Sequence, residues 1–313
     1  MNLQQLRYIY EVARRGLNVS EAAEALFTSQ PGVSKQIRLF ETELGVDVFV
    51  RHGKRLVAVT DPGRQVLALA ERVLRDIDNL RQVGDEFTNE STGSLSIATT
   101  HTQARYVLPR IVRDFMQRFP QVKLSLHQGN PRQVCDMVMS GEADLAIATE
   151  AIADYDELVM LPCYQWNRCI VATPRHPILK EHPLTLEAIA RYPLITYDDA
   201  FTGRSLINKA FLGRGLRPNV VLTALDSDVI KTYVSMDLGI GILARMAFDA
   251  VADKALGMSD AAHLFESSTT RVGLRRNAYL RGYVYAFIEL FAPHLTRRMI
   301  DVALAGGGED YGM

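Results

Sequence analysis

The stretch at residues 18–45, NVSEAAEALFTSQPGVSKQIRLFETELG, predicts two helices joined by a sharp turn. Asn18 or Ser20 is expected to cap the first helix, because a short polar side chain accepts the free amide hydrogens of a first turn. Ser29 is expected to cap the second helix, and Pro31 fits in its first turn, where a missing N–H costs nothing. The second helix also carries an apolar stripe that we predict to be buried, formed by Val33, Ile37, Phe40 and Leu44.

The polar residues of the second helix are left for its outer face. The segment holds no acidic side chain between Glu24 and Glu41. A polar helix N-terminus without carboxylates suits entry into the major groove of DNA. The residues predicted to contact DNA from this region are Thr28, Ser29, Gln30, Pro31, Ser34, Lys35 and Arg38. An ordinary pair of surface helices is the alternative, because helix-turn-helix patterns arise easily by chance.

Two short β-type runs follow at residues 48–50 and 56–59, on either side of the basic segment RHGKR (51–55). A hairpin with a basic tip beside a helix-turn-helix is a wing, and its charges can meet phosphates without reading sequence. The predicted contacts of this wing are Arg51, Lys54 and Arg55. A merely solvated basic turn is the alternative for these residues taken alone.

A long helix is predicted from Pro62, with Thr60 or Asp61 as its cap. Its apolar positions alternate in steps of four and three, which is the pattern of a coiled-coil seam. The seam positions are Val66, Ala70, Val73, Ile77, Leu80, Gly84 and Phe87. We therefore predict a linker helix over residues 61–90 that pairs two chains into a homodimer, with packing on its own domain as the alternative. The segment TNESTG (88–93) has the composition of a domain boundary.

From residue 91 onward, short apolar runs alternate with helical segments, one of them predicted over residues 103–119. Strands that alternate with helices indicate a mostly parallel sheet covered on both faces. Two such sets follow one another, at about 91–163 and 164–265. We therefore expect two Rossmann-like α/β subdomains with a cleft between them.

The composition excludes several classes of protein. The 313 residues, 48% of them apolar, provide material for two or three compact units. The net charge of −1 argues against a globally basic nucleic-acid-binding protein, so DNA affinity must come from a local patch. There is neither an apolar run of about 18 residues nor a charged-then-apolar leader, so we expect no membrane span and no signal peptide.

The three cysteines, Cys135, Cys163 and Cys169, are an odd number without the spacing of metal ligands. We expect reduced core thiols, which fit a cytoplasmic setting. A redox switch that uses Cys163 and Cys169 is the alternative.

An enzyme is the main competing class. The seven histidines show no ligand spacing, and no nucleophile elbow, P-loop or dinucleotide-binding fingerprint occurs. His101 could be taken for a general base, but no candidate nucleophile is tied to it, and packing or an indirect contact behind the ligand-binding residues is its expected role. We therefore predict no catalytic residue, no metal and no cofactor.

Polar residues mark a candidate ligand site at residues 99–103 (TTHTQ), between the end of a predicted strand and the start of a helix. Ligands of α/β sheets bind at that edge, and a helix N-terminus attracts anions. Residues 148–150 end the next parallel strand, and residues 201–204 open a helix in the other subdomain. Threonine hydroxyls and a glutamine amide could hold a carboxylate or a sulfate without a full salt bridge. The alternative for each threonine is a helix cap only.

Residues 3–64 resemble the winged helix-turn-helix of LysR-type transcriptional regulators. TSQPGVSKQ (28–36) and ATTHTQARYVLP (98–109) resemble the cysteine-regulon branch of that family. The resemblance covers almost the whole chain. It implies an N-terminal all-α winged helix-turn-helix (1–60), a linker helix (61–90) and an effector domain (91–313) similar to periplasmic binding proteins, in which residues 266–300 return to the first subdomain.

The function implied by this resemblance is regulation of sulfur assimilation and cysteine biosynthesis through promoter DNA. The implied effector-binding residues are Thr100, Thr102, Gln103, Thr149 and Thr202, and the implied effector is O-acetylserine, N-acetylserine or sulfate. The family often forms homotetramers, and a contact with RNA polymerase is compatible with it. Asn130 stands where relatives tend to have Ser, which leaves the effector's identity open. A LysR-type regulator of another small acid or a sulfonate, and a free solute-binding protein, are the alternatives.

Overall fold

The structure is a computed structural model that describes residues 1–53, 55–88, 92–149, 155–198 and 202–307, with side chains at 82, 85–88, 202 and 203 left out. The chain divides into two compact units, Met1–Thr88 and Asn89–Met313. Among the described residues, no helix combines the length and the apolar character needed to cross a membrane.

The first unit is a winged helix-turn-helix with a long helix attached. Its helices are α1 (Leu3–Arg14), α2 (Val19–Ala25), α3 (Gln30–Leu44) and α4 (Asp61–Thr88), and its hairpin is formed by β1 (Phe49–His52) and β2 (Arg55–Val59). Asn18 caps α2 and Ser29 caps α3, where its hydroxyl accepts a hydrogen bond from the Gly32 amide. Thr60 caps the start of α4, because its hydroxyl accepts a hydrogen bond from the Gly63 amide at 2.9 Å.

The apolar stripe of α3 is buried at three of its four predicted positions. Val33, Ile37 and Phe40 lie in the core of the first unit, but Leu44 is 40% exposed. The helix ends at Leu44 because Gly45 turns left-handed with a φ of 77°. Glu41 takes the remaining buried place on this face, so the prediction for Leu44 was wrong.

The predicted seam of α4 packs on its own domain in the first turns and is exposed further along. Val66 and Ala70 pack on the core of the winged domain, so the alternative, packing on its own domain, is correct for the first turns. Further along, Val73 and Leu80 are 41% and 70% exposed. An apolar face that stays exposed at seam spacing is available for a second helix.

The described residues of the second unit form two five-stranded sheets, and the first sheet with its helices is called subdomain I. Its strand order is β4-β3-β5-β12-β6. The strands are β3 (Gly93–Thr99), β4 (Val122–Gln128), β5 (Leu145–Thr149), β6 (Leu158–Trp166) and β12 (Ser268–Arg275). The helices are α5 (His101–Tyr106), α6 (Leu108–Arg118), α7 (Pro131–Met139), α11 (Gly282–Phe291) and α12 (Arg297–Leu304).

The second sheet and its helices form subdomain II, with strand order β11-β7-β10-β8-β9. The strands are β7 (Arg168–Ala172), β8 (Leu194–Tyr197), β9 (Val220–Ala224), β10 (Ile240–Ala244) and β11 (Gly257–Asp260). The helices are α8 (Leu186–Ala190), α9 (Thr202–Leu212) and α10 (Ser227–Ser235), with short 3-10 turns between them. The predicted pair of α/β subdomains is confirmed.

Each sheet is mixed, and the prediction of mostly parallel sheets was wrong in this respect. In subdomain I, β3 pairs in parallel with β4 and β5, whereas β12 pairs antiparallel with β5 and β6. The chain passes from one sheet to the other along extended strands and not through helical crossovers. The strands that make this connection therefore run antiparallel to their neighbours in the sheet. The passage lies at Asn167, so the boundary predicted at 163 and 164 falls inside β6.

The helix predicted over residues 103–119 is broken. One helix ends at Tyr106 and the next begins at Leu108, with Val107 between them at a φ of −111°. Pro109 explains the break, because it has no N–H to donate to the Arg105 carbonyl and fits in the first turn of the next helix, where that N–H is not needed. Helix α5 is therefore short.

Candidate functional site

The N-terminal part of α3 presents polar side chains on the outside of the first unit. Thr28, Ser29, Gln30, Pro31, Lys35 and Arg38 are exposed, and Ser34 is half-buried. The Gln30 side-chain amide donates to the Ser34 hydroxyl at 3.2 Å. The Ser29 hydroxyl serves the helix cap at 3.3 Å, so its role includes placing this helix.

The wing is tied to α3 by one buried carboxylate. Glu41 accepts hydrogen bonds from the amides of Val48 and Phe49, at 2.9 and 3.2 Å. Its other oxygen pairs with the Arg51 guanidinium at 2.5 Å. The charge of Arg51 is thus engaged within the unit, whereas Arg55 is exposed beyond the turn. Lys54 lies outside the described residues.

An exposed aromatic side chain in the turn between α2 and α3 escaped the sequence reasoning. Phe27 is 98% exposed and has a φ of 49°, a left-handed conformation that is uncommon for a bulky residue. The backbone turn therefore presents the ring next to Thr28 and Ser29. An apolar residue inside a polar motif was the available signal.

The candidate effector residues of subdomain I meet at one edge of its sheet. Strands β3 and β5 are parallel neighbours, so Thr100 and Thr149 follow or end strands at the same edge. Thr100 is the N-cap residue of α5 but makes no side-chain cap bond. Thr149 pairs with Thr270 across the ladder, so both side chains stand on the same face of the sheet.

Gln103 is fixed above that face. It is 2% exposed, and its amide nitrogen donates to the Thr270 hydroxyl at 3.2 Å. Its amide oxygen accepts from the Tyr164 hydroxyl. Burial raises the pKa of Tyr164 to about 12, so this hydroxyl stays a donor at neutral pH. Tyr164 and Thr270 belong to strands distant in sequence, which is why the sequence did not reveal them.

Subdomain II supplies polar groups from β8 and its neighbours. The Tyr197 hydroxyl hydrogen-bonds with Ser227 at 2.7 Å and also interacts with Thr102 of α5. Thr196 Oγ1 on β8 is buried without a hydrogen-bond partner among the described residues, and so is Trp166 Nε1 at the end of β6 in subdomain I. Buried polar groups without a partner are costly, so each invites a ligand or water. Thr202 begins α9, but its side chain lies outside the described residues.

Asn130, the departure from the family pattern, is occupied by its own helix. Its side chain accepts from the Gln133 amide at 3.0 Å, and the Gln133 side chain accepts from the Asn130 amide at 2.9 Å. This reciprocal arrangement is a capping box, in which serine performs the same task. The departure therefore leaves the cap of this helix intact.

His101 lies among charged groups rather than beside a nucleophile. Its Nε2 atom is 3.8 Å from a carboxylate oxygen of Asp228, and its Nδ1 atom is buried without a hydrogen-bond partner among the described residues. A general base must reach the proton that it abstracts. The expected packing role fits this placement.

The cysteines are buried, unpaired thiols. Burial raises the pKa of Cys135, Cys163 and Cys169 to about 12. Cys163 belongs to the core of subdomain I and Cys169 to a core of subdomain II. The surroundings of these two thiols therefore do not favour the alternative of a redox switch between them.

Comparison with known proteins agrees with this architecture. Residues 3–64 match the bacterial regulatory helix-turn-helix protein, lysR family, and residues 88–296 match the LysR substrate binding domain. The chain is 53% identical to the HTH-type transcriptional regulator CysB of Burkholderia cenocepacia, with 99% of each chain covered. It is also 53% identical to the regulator SsuR of that organism, covering 96% of this chain and 97% of SsuR.

A solved structure supports the same assignment for the second unit. The cofactor-binding domain of the Cbl transcriptional regulator superposes with a TM-score of 0.67 at 43% identity, covering 69% of this chain and 95% of that one. These relatives are named transcriptional regulators and not enzymes. The chain belongs to the LysR family of DNA-binding transcriptional regulators.

Proposed function

We propose that this regulator controls genes of sulfur assimilation and cysteine biosynthesis in response to a small anion. The observation that carries the proposal is the group of neutral donors at the sheet edge of subdomain I. Thr100, Thr102 and Gln103 stand at the start of α5, and Thr149 ends the neighbouring strand. O-acetylserine, N-acetylserine or sulfate is the proposed effector, and the likeness to CysB supports this choice.

The opposite wall of the proposed site belongs to subdomain II. Thr196 on β8 brings a buried hydroxyl without a partner among the described residues, and Thr202 opens α9. Because α5 has only six residues, hydroxyl and amide donors matter more than the dipole of this helix. No cofactor or metal is part of the proposal. A sulfonate or another small acid at the same site is the alternative.

The proposed assembly is a homodimer through α4, with a homotetramer as the larger form. The exposed Val73 and Leu80 support pairing along the later part of this helix. The proposed setting is the cytoplasm, where promoter DNA and RNA polymerase are available as partners. Effector binding can change the arrangement of the subunits only through different affinities for two arrangements.

The proposed DNA contacts divide into base-reading and phosphate-binding groups. Gln30→Ala should weaken binding to the specific site by about 1–3 kcal/mol if its amide reads a base edge. Arg55→Ala should instead weaken binding to all duplexes and flatten the salt dependence, because it removes a phosphate contact. Fluorescence anisotropy on operator and scrambled duplexes at several salt concentrations measures both. Equal losses on both duplexes for Gln30→Ala would exclude base reading.

The effector proposal is tested at Thr102. Thr102→Val keeps the shape of the side chain but removes its hydroxyl, leaving one oxygen of a bound anion unpaired. A loss of about 1–3 kcal/mol is expected, which corresponds to roughly a ten- to hundredfold lower affinity. Isothermal titration calorimetry with O-acetylserine, N-acetylserine, sulfate and a sulfonate measures the loss and ranks the effectors.

The matched control is Thr232→Val. The Thr232 hydroxyl donates to the Asp228 carbonyl within its own helix, on an exposed face. We expect this variant to bind the anions as the unaltered chain does. Binding of none of the four anions by the unaltered chain, or unchanged binding by Thr102→Val, would exclude the sulfur-effector proposal.

A further inference from the structure

Helix α5 carries a second set of contacts that the proposed effector site does not use. Its last residue, Tyr106, belongs to subdomain I but packs on the core of subdomain II that includes Cys169, Val171 and Ile195. The Tyr106 hydroxyl donates to Asp228 on α10 at 2.6 Å. This hydrogen bond therefore joins the two subdomains directly.

Asp228 collects several donors at this point. The Lys231 ammonium lies 3.3 Å from the oxygen that accepts from Tyr106. Arg105 and His101 of α5 approach the other oxygen at 3.6 and 3.8 Å. One carboxylate of subdomain II thus faces three side chains of α5, all of them on the helix that bears Thr102 and Gln103.

The Tyr106–Asp228 hydrogen bond is called the bridge, and Lys231 supports it from within subdomain II. Its ammonium pairs with Asp253 at 3.0 Å and donates to the Ala247 carbonyl at 3.0 Å. It also lies 5.0 Å from the centre of the Tyr106 ring, a distance at which a cation is attracted to the ring face. The position of Asp228 is thereby fixed on α10.

The protonation states suit this arrangement at neutral pH. Burial, together with the hydrogen bond to Asp228, raises the pKa of Tyr106 to about 12, so its hydroxyl remains a donor. Burial would raise the pKa of Asp228, but the Tyr106 hydrogen bond and the charges of Lys231 and Arg105 together lower it. A neutral donor therefore faces a charged acceptor, which makes a stronger hydrogen bond.

A bound cation is the competing interpretation of these groups. Ligand atoms of His101, Asp226 and Asp228 lie within 4.8 Å of one another. However, Asp226 accepts from the Val229 amide at 2.8 Å as the cap of α10. Lys231 already supplies positive charge to Asp228, and a metal ion would be repelled there. The contacts favour a bridge between protein groups.

We propose that Tyr106 and Asp228 are positioning residues that hold α5 against α10 and so set the closure of the effector cleft. The proposal rests on the proposed effector site, since α5 bears Thr102 and Gln103. With the bridge formed, the donors on α5 face Tyr197 and its neighbours before a ligand arrives. Losing the bridge lets the subdomains separate, and the effector must then supply the closure itself.

The experiment measures the separation of the subdomains in the full chain. Spin labels at Met116→Cys on α6 and Leu212→Cys on α9 report the distance between them by pulsed electron paramagnetic resonance. Both positions are exposed, and the native thiols are buried. Labelled chain is diluted with unlabelled chain, so that the distances within one chain dominate.

Tyr106→Phe keeps the ring and its packing but removes the hydroxyl. We expect a broader distribution shifted to longer distances, with affinity for O-acetylserine or sulfate lowered by up to about tenfold. Asp228→Ala removes the acceptor from the other side and should shift the distances in the same direction, while Asp253 retains Lys231. The control is Tyr233→Phe on α10, a partly exposed tyrosine for which we expect an unchanged distribution.

The outcomes separate this inference from the proposed function. Distances in Tyr106→Phe and Asp228→Ala that match those of the unaltered chain would overturn the bridge, whatever the affinities are. Longer distances in both variants support it even if no tested anion binds the unaltered chain. In that last case the sulfur-effector proposal fails while the bridge stands.

Discussion

Gly63→Ala is expected to lower the free energy of unfolding of the DNA-binding unit by about 3–4 kcal/mol, the sum of overpacking and one lost hydrogen bond. A Cβ atom at position 63 would overlap the Val48 carbonyl oxygen and would lie 2.8 Å from the Thr60 hydroxyl. The same carbonyl accepts from the Thr60 amide at 3.0 Å, so the start of α4 is clamped to the start of the wing. Backbone atoms on both sides must move to make room.

Amide hydrogen exchange of the full chain, read by mass spectrometry, measures this effect. Peptides from residues 45–75 should exchange faster in Gly63→Ala, and operator binding should weaken with them. The control is Gln65→Ala in the same helix, an exposed position outside the predicted seam where alanine is an equal or better helix former. If the amides of residues 45–75 exchange equally slowly in Gly63→Ala and in the unaltered chain, the contact between α4 and the wing accommodates the added methyl group without loss of stability.

Glu41→Gln is expected to destabilise the same unit by about 2–4 kcal/mol, because two amide hydrogen bonds lose their charged acceptor and Arg51 loses its nearest counter-charge, leaving only Asp47 at 3.9 Å. The glutamine oxygen can still accept from the Val48 and Phe49 amides, because a single oxygen of Glu41 accepts both bonds, but it no longer carries a negative charge. Its amide group, however, would turn a donor toward the Arg51 guanidinium. The wing should then detach from α3, and specific DNA binding should fall with it.

Glu43→Gln is the matched control on the same helix, since Glu43 is exposed and pairs only with the N-terminal amine among the described residues. Calorimetric unfolding of both variants separates the buried carboxylate from a general loss of charge. If Glu41→Gln and Glu43→Gln unfold at the same temperature, the contacts of the Glu41 carboxylate with the wing contribute little to stability.

Local signals in the sequence predicted the first unit well. Asn18, Ser29 and Thr60 act as helix caps, as predicted. Each could be recognised because it is a short polar residue directly before an apolar helix pattern, and that signal lies within a few residues. Leu44 continued the pattern of α3 and was still misjudged, since Gly45 ends the helix before the stripe is complete. Pro109 carried the signal for the broken helix, but the longer periodic pattern around it outweighed that signal.

The candidate site was only partly accessible from sequence. Thr100 and Thr149 could be placed together, because the ends of neighbouring parallel strands share an edge. The partners of Gln103 could not, since Thr270 lies 167 residues away along the chain. The contact between Tyr106 and Asp228 spans 122 residues and depends on how two sheets face each other. Periodicity contains no information of that kind.

The burial of the three cysteine thiols has a consequence for how long a response lasts. Reactive cysteines are accessible and have depressed pKa values, whereas Cys135, Cys163 and Cys169 are buried with pKa values raised to about 12. Oxidation of these three thiols is therefore disfavoured, because little thiolate forms and oxidants cannot reach it. If the proposed anion is the signal, these cysteines do not prolong the response, which then ends when the anion dissociates.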